Sequence, residues 1–488
     1  MVGPLAVPGA PCWNCTRLRL LGTSDAAEIE HELHARLLYE RPPSRDRACL
    51  STMPALVGGV LTTDAIALLS GYSQARLIGR VLVFDVKSFE TTFHTVVPMP
   101  WCVVCGGAAK AKDVRIGSPG GVLAEAADPE ALRTALAGWI DERVGVVKFA
   151  SISSHDVTEP QLPVTATALL ARYTEGVYRA EDPEHGSGKG LTRVEALLGA
   201  VGEAVERYSA SRYRLEDLRR SPFDDLEVSA MDPRDLVLYE DHLYEEADFP
   251  FARFSPDIPI SWCRASWLHG GDEVLVPALP AYFNFHAPRA ERFCQVTSNG
   301  LAAGASLEDA GLRAVWELVE RDAFMITWLA RLPATRIDIT SLGADPALGE
   351  ILRQLRECGA AVEVYRLEAG IEIPVILTLG LGDGARWPAA TVALAAHQDG
   401  PTAVRKALLE QGHVGPYVRR LMRSGEIPIP ESPEEVRTLN DHALYYVPPS
   451  RQTAFDFLRS GANTMGVDEL PACASPSLAR SERALTKA

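Results

Sequence analysis

The pattern of the stretch Gly190-Leu-Thr-Arg-Val-Glu195-Ala-Leu-Leu-Gly-Ala-Val-Gly-Glu203-Ala-Val-Glu206-Arg207 recurs in this chain. Shifted by 114 residues it returns as Gly304-Ala-Ser-Leu-Glu-Asp309-Ala-Gly-Leu-Arg-Ala-Val-Trp-Glu317-Leu-Val-Glu320-Arg321. Each copy reads as a helix, with Thr192 or Ser306 as N-cap three residues before an acid. In each, the two glutamates at i and i+3 share a face. The upstream acid, Glu195 or Asp309, falls within about 80° of that stripe at about 100° per residue. Each helix thus carries three carboxylates in a row. Two such helices facing each other crowd about six negative charges, which calls for cations between them. Hard oxygen ligands of this kind suit magnesium held with nucleotide phosphates. Arg207 and Arg321 are placed to pair with phosphate oxygens or to hold the carboxylates. The plainer reading is a solvated amphipathic helix, with Glu195 and Asp309 completing capping boxes. It explains one copy more easily than two.

A Gly-rich loop is expected before each helix. His185-Gly-Ser-Gly-Lys189-Gly190 resembles a phosphate cradle but lacks the Walker spacing. Thr297-Ser298-Asn299-Gly300-Leu301-Ala302-Ala303-Gly304 offers hydroxyls, an amide and backbone N–H groups to a nucleotide at a helix N-terminus. From about 166 to 450, apolar strands alternate with helical windows, as in one large α/β domain. The clearest strands are 273–277 and 374–378. The tail after about 462 is rich in Ala, Ser and Pro and reads as poorly packed.

Upstream, residues 1–110 read as a small α+β module. Helical patterns near 25–40 and 61–77 precede β-rich runs at 81–86 and 93–97. The knuckles Cys12-x2-Cys15 and Cys102-x2-Cys105 stand at its two ends. Their four thiolates match the tetrahedral ligand set of a structural zinc that clips the module shut. The alternatives are four unrelated thiols or redox-active pairs. Cys49, Cys263, Cys294, Cys358 and Cys473 have no partner spacing and read as packed side chains. Residues 111–165 read as a connecting segment, with a helix at 129–142, a strand at 144–149 and a connector at 158–163.

The 488 residues carry 48 basic and 64 acidic side chains, a formal charge of −16. That balance argues against a nucleic-acid binder, which needs a cationic face. The N-terminus lacks the basic n-region of a signal peptide. The apolar windows fall short of the ~20 residues of a membrane span, one of them broken by Asp64. A cytoplasmic, membrane-free protein is expected.

The stretch from Gly188 through Glu203, Glu206 and Arg207 resembles the first signature of the YcaO-domain family. The stretch Ser298-Asn299-Gly300-Leu301-Ala302 through Glu317, Glu320, Arg321 and Asp322 resembles its second. Ala403-Val-Arg-Lys406-Ala-Leu-Leu-Glu410 is similar to a third element, with Lys406 where arginine is usual. Ala302 and Ala305 stand where some members carry Asn and Ser. The resemblance covers about 166–450 and implies a YcaO-type ATP-binding catalytic domain there, with 451–488 as a C-terminal tail. It implies ATP and Mg2+ bound without a P-loop, by Lys189, Glu195, Glu203, Glu206, Ser298, Asn299, Asp309, Glu317, Glu320, Arg321 and Glu410. Within that set, Glu203, Glu206, Glu317 and Glu320 would hold magnesium, and Glu206, Glu320 and Arg321 would be catalytic. The implied reaction is ATP-dependent cyclodehydration: Cys, Ser or Thr of a ribosomal precursor peptide attacks the preceding carbonyl, and the amide oxygen leaves as phosphate, giving thiazoline or oxazoline.

The cysteine knuckles resemble the zinc-binding end of the E1-like docking proteins that accompany such enzymes. The peptide-binding portion of those proteins is not seen upstream. The resemblance therefore implies a separate E1-like leader-binding protein as partner, with a dehydrogenase as a further one and a homodimer as the assembly. Tyr445-Tyr446 and Pro448-Pro449 also resemble this branch. A Pro-rich C-terminus, usual in azoline-forming members, is not seen. Two other readings stand beside this one: amide activation with an external nucleophile, giving thioamide or amidine, and a non-catalytic docking scaffold.

Overall fold

In the computed structural model, short runs of β-branched and aromatic residues pair where the sequence places them. Arg80–Phe84 (β1) and Thr91–Thr95 (β2) form an antiparallel hairpin with Arg80 opposite Thr95 and Phe84 opposite Thr91. The structure describes residues 1–24, 52–99, 102–105, 136, 138–171, 173–174, 177–178, 185–236, 238–268, 272–304, 306–340, 345–368, 370–473 and 477. These divide into two units. The first holds Met1–Ser151, Ala166–Gly188 and Leu197–Tyr208; the second holds Ile152–Thr165, Lys189–Ala196 and Ser209–Ala488. The helix expected near 25–40 and Cys49 lie outside the described residues.

In the first unit, helix α1 (Trp13–Thr23) buries Leu18 and Leu21 against Val81, Val96, Met99 and Val144, around the four cysteines. Helix α2 spans Thr52–Ser70, earlier than the expected 61–77. The helix has 19 residues and a window of mean hydropathy 1.5, long and apolar enough to cross a membrane by length and composition. This corrects the expectation that no window reaches that mark. Asp64 does not interrupt the helix, because its buried carboxylate accepts the N–H groups of Arg76 (2.6 Å) and Leu77 (2.8 Å). Strands β3 (Val147–Ile152), β4 (Val164–Leu170) and β5 (His185–Gly190) form a sheet in the order β3-β4-β5. The first acidic window is helix α3, Arg193–Ala210.

The Gly-rich run before α3 is thus a strand, not a loop. A Cβ on Gly186 would fall 2.1 Å from the Ala200 carbonyl oxygen and 2.5 Å from the Ala204 nitrogen. Only glycine lets the strand lie this close to the helix backbone. The helix expected at 129–142 is also corrected at its described end. Residues 138–142 are turn, with Ile140 in a parallel bridge to Val147.

The second unit is organised by two sheets. Strands β6 (Arg219–Ser221), β7 (Ile260–Ser266) and β8 (Glu273–Pro277) form an antiparallel sheet in the order β8-β7-β6. The larger sheet comprises β9 (Thr335–Asp338), β10 (Ala361–Leu367), β11 (Val375–Leu381), β12 (Ala390–Ala396) and β13 (Thr464–Gly466), in the order β12-β11-β10-β9-β13. All pairings are antiparallel except β9 with β13.

Alternation along β11 assigns its faces. Val375, Leu377 and Leu379 pack with Leu312, Val315, Trp316 and Val319 of helix α4 (Leu307–Leu329), the second acidic window. Ile376 packs with Ile351 and Leu355 of α5 (Pro346–Glu357) and Val404, Ala407 and Leu408 of α6 (Gly400–Ser424). One face of the sheet therefore fixes the rotation of α4, and with it the direction of the acidic stripe.

One expectation changes here. Residues 464–473 are packed, not slack: β13 joins the sheet edge, and Val467, Leu470 and Cys473 are buried. The connector 158–163 is held down. Gln354 Oε1 accepts from the N–H groups of Gln161 (2.7 Å) and Leu162 (3.0 Å), and Arg419 donates to the Thr158 carbonyl.

Trp387 is fully buried, and a Cβ on Gly415 would sit 2.3 Å from its ring. Trp387→Ala is expected to cost about 3–5 kcal/mol in urea unfolding, because the tight helix contact leaves the cavity little room to collapse.

Candidate functional site

Capping chemistry starts both acidic helices. Thr192 Oγ1 accepts the Glu195 N–H (3.1 Å), and Glu195 Oε2 accepts the Leu191 N–H (2.7 Å). Ser306 Oγ accepts the Asp309 N–H (3.1 Å). The glycine shared by the two copies has a steric reason. A Cβ would fall 2.3 Å from the Glu195 Cβ at Gly190, and 2.4 Å from the Ala310 nitrogen at Gly304. Both chains enter flat against the first helical turn.

Further along α3, Glu203 Oε2 accepts the Ser187 N–H at 2.8 Å. Arg207 donates to Glu203 (2.9 Å) and lies 3.7 Å from Glu206. The arginine of the repeat thus braces the glutamates before it. Glu206 is 17% exposed.

On α4 the pattern repeats at similar burial. Glu317 Oε2 accepts the Gly300 N–H (3.2 Å), which pins the 297–304 loop to the helix. Gly300 has φ +82° and packs against Leu318. Among the described residues, the side chains of Ser298 and Asn299 make no hydrogen bond, and both reach solvent. Arg321 lies 3.8 Å from Glu317 and 3.7 Å from Glu320. Glu320 is only 14% exposed and accepts the Ala396 N–H at 3.1 Å. Burial pushes its carboxyl above the ordinary carboxylate value. Arg321 opposes the shift, Glu317 adds to it, and the Ala396 N–H and Lys189 oppose it further.

Helix α6 brings the remaining charges to the same unit. Glu410 pairs with Lys189, and Arg405 lies 3.7 Å from Glu195. Asp309 accepts from Arg313 at 3.1 Å. Lys406 sits 5.3 Å from the Trp316 ring centroid, a cation–π contact. Burial and then Arg313 lower its pKa, against the pull of Glu320 and Asp309. In the second unit, Lys189 and Lys406 therefore link Asp309, Glu320 and Glu410 into one electrostatic cluster, which Glu317 joins through Arg321. Glu195 joins through Arg405. The arginines of the repeat brace the glutamates, the second of the two roles the sequence offered for them.

His413 was also missed, although it lies on the face of Glu410 at i+3. Its ring is 3.9 Å from Glu410. Burial, then Lys189, Arg420 and His155, push its pKa down to about 4. A histidine depressed below its ordinary 6.5 binds its proton more readily when unfolded, so stability is full above 6.5 and falls as the pH drops toward 4. Urea unfolding at pH 7 and pH 4.5 is expected to show a loss on the order of 2–3 kcal/mol that His413→Gln removes.

In the first unit, Cys12, Cys15, Cys102 and Cys105 place their sulfurs within 4.8 Å of one another. Cys12 Sγ is 3.6 Å from Cys102 Sγ, and Cys15 Sγ is 3.5 Å from Cys105 Sγ. Four sulfurs around a zinc at about 2.3 Å lie about 3.8 Å apart, so the set fits a tetrathiolate centre. Asn14 Nδ2 donates to Cys102 Sγ at 3.3 Å, the outer-shell contact such a thiolate takes.

The model of one family, described as YcaO cyclodehydratase, ATP- and Mg2+-binding, matches residues 187–484. An uncharacterized protein of Methanothermobacter thermautotrophicus is 28% identical over 228 residues, covering 46% of this chain and 55% of that protein. A solved heterocyclase in complex with substrate and cofactor superposes with a TM-score of 0.73 at 21% identity, over 99% of this chain and 66% of that one. The heterocyclase TruD superposes with a TM-score of 0.62 at 20% identity, over 99% of this chain and 63% of its own. The match thus spans less than two thirds of each of these relatives. The structural likenesses establish the fold.

Proposed function

The chain belongs to the YcaO family, and from that premise we propose that it is an ATP-dependent cyclodehydratase acting on a ribosomal precursor peptide. The observation that carries this reading is Glu320, a carboxylate only 14% exposed, held by the Ala396 N–H and crowded by Glu317. Such a group is expensive without a cation and is what a magnesium–triphosphate complex would balance. Glu203, Glu206, Glu317 and Glu320 fit the role of metal ligands. Glu195, Asp309 and Glu410 line the same charged elements. Lys189, Arg321, Ser298 and Asn299 supply donors for phosphate and ribose oxygens. Magnesium, when bound, offsets the charge of the triphosphate and of the transferring phosphoryl group.

Binding of ATP would exchange the Lys189–Glu410 pair for contacts to phosphate and metal. Glu206, Glu320 and Arg321 would then orient the transfer. A Cys, Ser or Thr side chain attacks the preceding amide carbonyl and gives up its proton. The resulting oxygen anion takes the γ-phosphoryl group, and phosphate departs with the former amide oxygen as the ring C=N bond forms. The products are azoline peptide, ADP and phosphate, a net loss of one water from the peptide.

The four cysteines fit a structural zinc. We place residues 1–110 as the module that docks a separate E1-like leader-binding protein in the cytoplasm. Residues 111–165 would connect it to the catalytic region 166–450. Full-length enzyme, E1-like partner, precursor, ATP and magnesium are expected to shift the peptide by the mass of one water per ring, with one ADP each. Precursor-dependent gain of sulfur would select a thioamide instead. Absence of ADP formation with precursor and partner present would overturn the reading.

A further inference from the structure

Helix α4 ends where glycine or asparagine is the usual choice, and the sequence places arginine. Arg331 has φ +50°, in the left-handed region that an L side chain enters only at a cost. Its N–H donates to the Trp328 carbonyl (3.3 Å), and the Leu332 N–H donates to the Thr327 carbonyl (3.0 Å). The helix would close equally well on glycine, so the guanidinium needs its own reason. It lies 5.0 Å from the Phe457 ring centroid. Among the described residues it makes no ion pair and no side-chain hydrogen bond.

Arg331 lines a cavity of about 610 Å³ with His442, Tyr445, Tyr446, Arg451 and Thr453. Arg451 is held in place from two sides. It donates to the Tyr445 hydroxyl at 2.6 Å and to the Glu431 carbonyl, and its guanidinium lies 4.2 Å from the Tyr445 ring centroid. Tyr446 packs edge-on to Trp328 and Phe455. Among the described residues no carboxylate lines this cavity, in a chain whose acids outnumber its bases. Two arginines lining one cavity with tyrosine rings suit a carboxylate with apolar neighbours.

We propose that this cavity binds a peptide carboxylate flanked by apolar residues and so anchors the substrate peptide away from the reacting amide. The inference rests on the peptide-substrate reading above. Glu320 and Arg331 belong to one helix and its cap, about 16 Å apart at 1.5 Å per residue. About five residues of extended peptide span that distance. An anchor here would place the reacting position a short, fixed number of residues from the anchored acid.

Fluorescence anisotropy on the full-length chain tests this with three short probes of leucine and phenylalanine. One is capped at both ends around a central aspartate, the second carries asparagine there, and the third carries asparagine and a free C-terminal carboxylate. One or both carboxylate probes are expected to bind about tenfold or more tighter than the capped asparagine probe, and which of them does so tells side chain from chain end. Arg331→Gly relieves the backbone and should melt no lower, yet lose that preference; Arg331→Lys should restore part of it. Equal binding of all three probes, or an unchanged preference in Arg331→Gly, overturns the proposal. Nucleotide binding measured on the same samples separates the two readings. A carboxylate preference without nucleotide binding sinks the ATP-dependent function and leaves the cavity standing. Nucleotide binding without a carboxylate preference sinks the cavity alone.

Discussion

Glu320→Gln is expected to lower ATP turnover on precursor by about a hundredfold or more while leaving the melting temperature unchanged or raised. The loss follows from the loss of a metal-ligating charge, worth several kcal/mol of transition-state stabilisation. The stability gain follows from burial. Glu320's carboxyl is pushed above its ordinary value, so the folded state favours the protonated acid. For such a group stability is full below the unfolded pKa and is lost as pH rises through the folded one. At neutral pH the ionised side chain is therefore a cost, which glutamine avoids while still accepting the Ala396 N–H. Loss of activity together with retained stability is the signature of a functional site. A surface or packing residue would not produce it. A docking scaffold predicts unchanged product, since another enzyme would do the chemistry. Steady-state ADP release and a thermal melt on the same samples decide it.

Cys102→Ser is expected to remove a stoichiometric zinc and unfold much of the first unit. Binding free energies of structural zinc sites run to about 10–16 kcal/mol, which exceeds what a small module retains without the ion. Cys12, Cys15 and Cys102 are buried among Leu18, Leu21, Val81 and Val144, so apposed thiolates without a cation have no water to screen them. Metal analysis should give one zinc per chain in the wild type. Strong chelation should lower the melting temperature of the first unit and expose its thiols to reagent. Four thiols that react without chelator, with no metal present and no change in fold, would favour unrelated or redox-active cysteines.

Local patterns made much of the architecture readable. Val375–Leu381 and Glu273–Pro277 are short apolar runs with turn signals around them, and they form strands β11 and β8. Ser306 and Thr192 marked helix starts because a hydroxyl three residues before an acid accepts that acid's otherwise orphan N–H. What failed was non-local. Strand β5 is rich in glycine and reads as loop until Ala200 and Ala204 are seen to require close approach. Strand β13 is three residues whose pairing partner, β9, lies more than a hundred residues upstream. The apolar helix α2 seemed interrupted because Asp64 takes its partners from Arg76 and Leu77, beyond the helix end.

The candidate site was legible as composition and spacing but not as electrostatics. The carboxylate stripe could be counted on the two copies. The bracing of Glu203 by Arg207, the pairing of Glu410 with Lys189 and the seating of Lys406 on Trp316 needed coordinates. Glu320 is buried about as far as its counterpart Glu206, and its hydrogen bond from the Ala396 N–H, 76 residues away, is nothing a helical wheel shows. Arg331 had no motif at all, and its only signal is a left-handed backbone angle at an arginine.

Calorimetric titration of a non-hydrolysable ATP analogue into the full-length chain tests the central claim most directly, in wild type and Glu320→Gln, with magnesium and with chelator. The account predicts binding by the wild type only when magnesium is present, and a loss of about tenfold or more in affinity on substitution. Affinity that is indifferent to both the metal and the glutamate would contradict it.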